Sequence, residues 1–204
     1  MLIKTLVVGQ IETNCYVVTD EATLDCVVID PGDESGTILD YLEDNKLHCR
    51  AVLLTHAHFD HVGAANALLE ATGARLYMCE KELELVKGGA SGRFTVPEDV
   101  KYYRDGDTVE VGGLRFEVME TPGHTPGGVT LRCGEALFTG DTLFRGSCGR
   151  TDFAGGDMRQ ELRSLKRIAE LPGDYEVYPG HAESSMLSIE REHNPYVRHA
   201  IEKM

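Results

Sequence analysis

Long apolar runs, Cys-x-x-Cys pairs and an excess of positive charge are all missing from this 204-residue sequence. No apolar run approaches the roughly 20 residues that span a membrane, which predicts no transmembrane segment. The 34 Asp and Glu outnumber the 20 Lys and Arg, giving a net charge of −14. This balance disfavours nucleic acid and anionic membranes as partners, because both are bound through basic side chains.

The six cysteines do not form a recognisable disulfide framework. The first residues alternate in polarity like a strand and lack the unbroken apolar stretch of a signal peptide. Most of the cysteines lie in or beside apolar runs and are expected to be buried thiols. We therefore expect a cytoplasmic protein, and we keep only Cys148, in a glycine-rich segment, as a functional candidate.

A single domain covering residues 1–204 is expected, because the chain is short for two domains and contains no low-complexity linker. The apolar periodicity predicts strands at Leu2–Val8, Cys15–Thr19, Cys26–Ile29, Ala51–Leu54, Arg75–Cys79, Thr108–Val111, Leu114–Glu120, Val129–Arg132, Ala136–Thr139 and Glu176–Tyr178. It predicts helices at Ser35–Asn45, Val62–Glu70, Glu80–Lys87, Met158–Glu170 and Ser185–Glu192, the last of them broken by Asn194-Pro195. The mixed loop 88–100 has a length that often indicates a functional segment.

Four side chains that commonly bind metals lie within the six residues His56-Ala57-His58-Phe59-Asp60-His61. Residues two apart on an extended chain point to the same side, so His56 and His58 can chelate one ion. Asp60 and His61 follow where a helix begins and can face a second ion. Because the chain has only 8 histidines, this clustering indicates a metal site.

Three further candidate ligands, His124, Asp141 and His181, stand alone downstream. Each directly follows a glycine near a strand end, where a loop can aim a side chain into a common cleft. With the cluster they make five His and two Asp, enough to hold two divalent metals, zinc first and iron or manganese as alternatives. Two such metals can share an activated water, a bound hydroxide that hydrolyses an ester-like bond. Asp60 is the candidate catalytic residue, since turnover should require the second metal.

The order and spacing of these residues resemble those of the metallo-β-lactamase superfamily over essentially the whole chain. The resemblance implies an α/β fold, a four-layer αββα sandwich with the metals at one edge of its two sheets. It also implies that the first metal is bound by His56, His58 and His124, that the second is bound by Asp60, His61 and His181, and that Asp141 bridges the two.

Within the superfamily, the segment Leu143–Phe153 resembles that of the glyoxalase II group, which hydrolyses hydroxyacyl-glutathione thioesters. In that group a Gly-Cys-Gly-basic segment lies by the thiol-cofactor site. The resemblance implies that Cys148 and Arg150 contact the substrate, with Arg150 as a partner for a carboxylate. Class B1 β-lactamases have a Cys where this chain has Asp141, so antibiotic hydrolysis is not expected.

The chain also departs from glyoxalase II proper. Only residues 182–204 follow His181, where the longer enzymes have a helical domain, so this chain is closer to the short bacterial subgroup. Ala182 and Glu183 stand where the family usually has Gly-Pro. We expect a small-molecule thioester or thiol conjugate as substrate, and specificity shaped by Arg93 and Phe94 of the loop 88–100.

A persulfide dioxygenase of the same superfamily, with one iron held by two His and one Asp, is the alternative function. The segment Gly149–Phe153 resembles those enzymes as well as the hydrolases. Phe59 stands where the dioxygenases favour Ala, which favours the hydrolase.

Overall fold

The computed structural model describes residues 1–204, and its strands and helices alternate much as the periodicity predicts. The strands β1 to β14 span Leu2–Val8, Thr13–Thr19, Asp25–Ile29, His48–Leu53, Arg75–Cys79, Lys101–Tyr103, Thr108–Val111, Leu114–Glu120, Val129–Cys133, Ala136–Gly140, Leu143–Phe144, Ser147–Cys148, Glu176–Pro179 and Ser185–Met186. The helices α1 to α7 span Ser35–Asp44, Phe59–Val62, Ala65–Thr72, Leu83–Lys87, Met158–Ala169, Leu187–His193 and Pro195–Lys203.

Two six-stranded sheets make up most of the molecule. The strand order is β1-β2-β3-β4-β5-β6 in the first sheet and β14-β13-β10-β9-β8-β7 in the second. Strands β3 to β6 are parallel to one another, as are β10 and β13, while the other neighbours in the sheets run antiparallel. Parallel neighbours bring their carboxyl ends to the same edge of the sheet, and this places several loops together there.

Three apolar layers show how the sheets and helices stack. Between the sheets, Tyr16 and Val18 of β2 belong to the same cluster as Phe116 and Phe138 of the second sheet. On the outer face of the first sheet, strand residues form a cluster with α1 and α3. On the outer face of the second sheet, the cluster includes residues of α5, α6 and α7. This arrangement of helix, sheet, sheet and helix confirms the four-layer αββα sandwich.

The alternation within β2 explains why it is buried along its whole length. Cys15 and Val17 point to the helical layer, whereas Tyr16 and Val18 point to the opposite sheet. Successive residues of a strand face opposite sides, so a strand covered on both faces needs apolar residues at consecutive positions, as β2 has at 15–18.

Three helix predictions were wrong in detail. The helix predicted at Glu80–Lys87 is a 3-10 turn, Glu80–Glu82, followed by α4. The helix predicted at Val62–Glu70 is divided into α2 and α3, and a Cβ at the intervening Gly63 would lie 2.3 Å from the carbonyl oxygen of Gly32. The helix predicted from Ser185 starts two residues later, because Ser185–Met186 pairs with β13.

The predicted break at Asn194-Pro195 is confirmed, since α6 ends at His193, and the same residues also start α7. The Asn194 side chain accepts hydrogen bonds from the N–H groups of Tyr196 and Val197, and Pro195 occupies the first turn of α7. Proline is well tolerated there, because the first helical N–H groups have no partner within the helix.

The cysteines are free thiols, buried except for the half-buried Cys148. None of the helices combines the length and the apolar character required to cross a membrane.

Candidate metal centre

All seven candidate ligands meet at one edge of the sandwich, between the two sheets. The first sheet contributes the segment 56–61, which follows β4 and runs into α2. The second sheet contributes three loops, with His124 after β8, Asp141 directly after β10 and His181 two residues after the end of β13. The structure thus brings the isolated residues at strand ends together with the cluster.

Close packing of backbone holds the loops after β10 and β13 against each other. The N–H of Gly180 donates to the carbonyl of Gly140 at 2.8 Å. A Cβ at Gly180 would lie 2.2 Å from Asp141 Oδ1 and 2.7 Å from His61 Cε1. Position 180 therefore needs glycine, because any larger residue would push into the ligands.

Three buried imidazoles, those of His56, His58 and His124, form the first half of the centre. Their candidate ligand atoms all lie within 4.8 Å of one another. His124 Nε2 is 2.9 Å from His58 Nδ1, and the ring of His56 lies edge-on to both at 4.9 Å between centroids. Three imidazole nitrogens facing one point are a typical ligand set for zinc.

The second half of the centre combines Asp60, His61 and His181, whose ligand atoms also lie within 4.8 Å of one another. Asp60 Oδ2 is 3.4 Å from His61 Nε2 and 3.2 Å from His181 Nε2. Asp141 reaches both halves, since its Oδ1 is 3.4 Å from His61 Nε2 and its Oδ2 is 3.5 Å from His124 Nε2. This is the position that a bridging carboxylate would occupy.

Contacts on the far side of three rings orient them. The Nδ1 of His61 is 3.0 Å from Asp30 Oδ2, that of His124 is 2.7 Å from the carbonyl oxygen of Arg150, and that of His181 is 3.2 Å from the carbonyl oxygen of Ile11. Each acceptor favours a proton on Nδ1 and leaves the Nε2 lone pair directed into the centre.

Asp30 is a functional residue that the sequence reasoning missed. Its Oδ2 also accepts from the Thr55 hydroxyl at 2.5 Å, and its Oδ1 accepts from the Thr55 N–H at 2.7 Å, so it ties His61 to the residue before His56. The available signal was an acidic residue at the end of β3, before the Pro31-Gly32 turn. An acid before a turn is common, and its contact with His61 depends on the pairing of β3 with β4.

The electrostatics of the centre fit a cation. His56 Nε2, His61 Nε2 and Asp141 Oδ1 are buried and have no hydrogen-bond partner within the protein. Burial lowers the pKa of His56 well below its usual value, which keeps the ring a neutral donor. Burial opposes protonation of His61 too, but Asp141, Asp30 and Asp60 outweigh it and raise the pKa of this ring. Carboxylates that favour a proton on His61 would equally favour a metal ion, so the residues present fit a divalent metal pair.

A cleft of about 760 Å³ opens over the centre and has a largely apolar wall. The wall includes Ile11, Phe59, Phe144 and Phe153, with Cys148 between them. Burial raises the pKa of the Cys148 thiol to about 12, so it is protonated at neutral pH and contributes surface to the wall, not a thiolate.

Arg150 lies in the same cleft but already has partners. Its Nε and one terminal nitrogen each lie 2.7 Å from the Asp152 carboxylate, and its guanidinium carbon stacks 3.8 Å from the centroid of the Phe153 ring. The side chain is therefore held in place at the rim of the cleft before any ligand arrives.

Arg93 and Phe94 are not brought to the metal cleft. They border a second groove of about 660 Å³ that shares Ile11, Phe59 and Asp60 with the cleft. Phe94 is only 6% exposed and packs in the helical layer of the first sheet, whereas Arg93 is exposed. Arg93 and Asp60 therefore line the same groove, whereas the Phe94 side chain packs mainly in the core.

Comparisons with known proteins cover nearly the whole chain. The sequence profile of the metallo-beta-lactamase superfamily matches residues 8–181. Hydroxyacylglutathione hydrolase GloC of Haemophilus influenzae is 32% identical, over 97% of this chain and 98% of that protein. The crystal structure of BLEG-1 B3 metallo-beta-lactamase aligns with a TM-score of 0.87 at 32% identity, over 96% of this chain and 99% of that one. TTHA1623 in a di-iron-bound form aligns with a TM-score of 0.84 at 36% identity, over 95% and 99% of the two chains.

Proposed function

The chain belongs to the metallo-β-lactamase superfamily, and we propose that it is a two-metal hydrolase of a small-molecule thioester, similar to glyoxalase II. The observation that carries this proposal is the pair of adjacent ligand groups with Asp141 between them. The two adjacent groups offer ligands for two ions, and a count of the bound metal distinguishes this proposal from a single-iron enzyme that keeps the same His set.

In the proposed centre, the side chains hold the metal ions and the ions supply the chemistry. His56, His58 and His124 would hold one metal, Asp60, His61 and His181 the other, and Asp141 both. When bound, such ions lower the pKa of a shared water and polarise the carbonyl that it attacks. Burial keeps His56, His58 and His124 neutral. The Nδ1 contacts of His61, His124 and His181 aim their Nε2 atoms into the centre, and the apolar wall shields the reacting carbonyl.

The two openings beside Asp60 suggest how a thioester would lie. We assign the apolar cleft to the part of the substrate next to the carbonyl, because Phe59, Phe144 and Phe153 offer it little hydrogen bonding. Arg150 at the rim would bind a substrate carboxylate by sharing its guanidinium with Asp152. Arg93 offers a second cation along the adjoining groove for a longer anionic thiol.

The likeness to GloC supports a hydroxyacyl thioester, and the di-iron form of TTHA1623 supports iron as well as zinc in the centre. The likeness to BLEG-1 makes β-lactam hydrolysis a rival that has to be measured directly.

The deciding experiment measures thiol release from S-lactoylglutathione by anaerobically purified protein, with the metal content determined on the same sample. We expect chelator-sensitive release with close to two metals per chain. Release should be lost in D60A together with one metal, and kept in D44A, which removes an exposed carboxylate from the end of α1.

Other outcomes identify the rivals. Oxygen uptake with a persulfide substrate, together with one iron per chain and no thiol release, would establish the dioxygenase instead. Opening of a penicillin or carbapenem ring at a higher kcat/KM than thioester cleavage would establish a β-lactamase. A fully active D60A protein that holds one metal would contradict the two-metal mechanism.

A further inference from the structure

Two buried glutamates outside the ligand set approach the centre from opposite layers of the sandwich. Glu82 ends the single 3-10 turn Glu80–Glu82 that follows β5, on the side of the first sheet. Glu161 lies in α5, on the outer side of the second sheet. Both side chains are essentially inaccessible to solvent, at 1% and 0% exposure. A carboxyl group buried to this extent is tolerated only when it accepts hydrogen bonds.

The bonds that Glu82 accepts come from two ligand segments. Its Oε2 accepts from the N–H of Ala57, the residue between His56 and His58, at 2.7 Å. Its Oε1 accepts from the N–H of Gly127, in the loop that carries His124, also at 2.7 Å. One carboxylate therefore ties together both segments that provide the first half of the centre.

Glu161 holds the same loop from the other side. Its Oε2 accepts from the N–H of His124 itself at 2.9 Å. Two glycines allow this approach, because a Cβ at Gly127 would lie 2.7 Å from Glu82 Oε1 and a Cβ at Gly123 would lie 2.3 Å from the Cα of Glu161. The loop that carries His124 is therefore hydrogen-bonded from opposite sides by the carboxyl groups of Glu82 and Glu161.

The second half of the centre has different supports. His61 is held by Asp30, His181 by the carbonyl of Ile11, and Asp60 by the Thr13 hydroxyl at 3.3 Å. The hydrogen bonds of Glu82 and Glu161 go to segments of the first half. Glu82 and Glu161 therefore support the first half alone, whereas Asp30 reaches both halves, because it binds His61 and also Thr55, the residue before His56.

We propose that Glu82 and Glu161 are positioning residues that set the metal affinity of the His56–His58–His124 half without changing that of the other half. The inference rests on the proposed two-metal centre, and it does not depend on the thioester reaction. Loss of such outer contacts typically weakens metal binding by about 10- to 100-fold.

The two glutamates should respond differently to the same conservative change. Glu82 uses both oxygens as acceptors, so E82Q replaces one of them with an amide that faces a buried N–H. Glu161 uses one oxygen for His124, so E161Q keeps the acceptor whereas E161A removes it. We therefore expect weakening in E82Q and E161A and recovery in E161Q.

The test is a stepwise Zn²⁺ titration against a chelating indicator, with bound ions counted by native mass spectrometry. Wild-type protein should bind two ions, and E82Q and E161A should bind one as tightly as wild type and the other about 10- to 100-fold more weakly. In an H181A background, E82Q should weaken the one remaining ion, whereas in an H124A background it should have no effect. T13V is the matched control, because it removes the hydroxyl that donates to Asp60 and should weaken only the ion in the His61 half.

Equal weakening of both ions in E82Q, or unchanged affinities in both E82Q and E161A, would overturn this inference and leave the proposed function intact. Failure of wild-type protein to bind any metal would overturn both. If E82Q does not fold, the comparison of E161A with E161Q decides the matter alone.

Discussion

Ala182, the residue after His181, has a backbone φ of +65°, in the left-handed region where glycine is favoured. A non-glycine residue there costs about 1–2 kcal/mol. Replacing it with glycine removes this strain but increases the entropy of the unfolded chain, which costs about 0.4–1 kcal/mol. The balance predicts that A182G raises the free energy of unfolding by about 0.5–1 kcal/mol, or about 1–4 °C in Tm for a chain of this length.

The measurement is thermal and denaturant unfolding of metal-free protein, because a bound metal would add its own stabilisation. The matched control is A71G, the same substitution at an exposed position of helix α3, where it should cost about 1 kcal/mol. Opposite signs for the two variants are the expected result. A182G as destabilising as A71G would refute the argument that strain is stored after His181.

The same variant should leave the position of His181 unchanged. The Asn14 side chain donates to the carbonyl oxygens of Pro179 and Ala182 at 3.0 and 2.8 Å, and the Tyr16 hydroxyl donates to Pro179 at 2.6 Å. These bonds involve backbone oxygens, which glycine also has. Metal affinity in A182G should therefore stay within about twofold of wild type, since hydrogen bonds of this kind do not depend on the side chain.

Three further substitutions test the site. G180A should weaken metal binding at least about tenfold, because its Cβ would press on Asp141 and His61. The far-ultraviolet circular dichroism should stay native. A wild-type metal affinity in G180A would contradict the described packing. R150A should raise KM for a carboxylate-bearing thioester about tenfold with little change in kcat, and an equal effect on an uncharged thioester would contradict a role in binding the carboxylate. C148A should retain thioester hydrolysis within about twofold, because the pKa of this thiol, about 12, keeps it protonated; loss of turnover with native metal content would show that the thiol reacts.

Local sequence patterns predicted the ligands that are close together in the sequence. His56 and His58 alternate on an extended segment after β4, so their spacing alone placed them on one side. The segment could be recognised without knowing the fold. Single residues after glycines are different, because they become a site only through the pairing of distant strands. The parallel pairing of β10 with β13 brings the loops of Asp141 and His181 together, and His124 joins them from the loop after β8 in the same sheet.

Contacts made across the sandwich were the ones that the sequence could not predict. Phe94 was expected at the substrate, but an apolar side chain in a loop can equally turn inward, and it does so here. Asp30 meets His61 across 31 positions of sequence, and Glu82 meets Gly127 across 45. No periodicity relates residues so far apart, so these contacts are visible only in three dimensions.

These long-range contacts all lie around the centre, which is located between the two sheets. The first sheet provides the segment 56–61 and the second provides His124, Asp141 and His181, so ions bound by both would join the two halves of the sandwich. Side chains also cross this boundary, since Asn14 and Tyr16 of β2 donate hydrogen bonds to the carbonyl oxygen of Pro179 at the end of β13. A preformed centre of this kind loses little conformational freedom on metal binding, which favours tight binding and fixed ligand geometry. The same hydrogen bonds hold the loops in place around the centre. They explain why a buried metal-ligand atom such as His56 Nε2 has no hydrogen-bond partner within the protein.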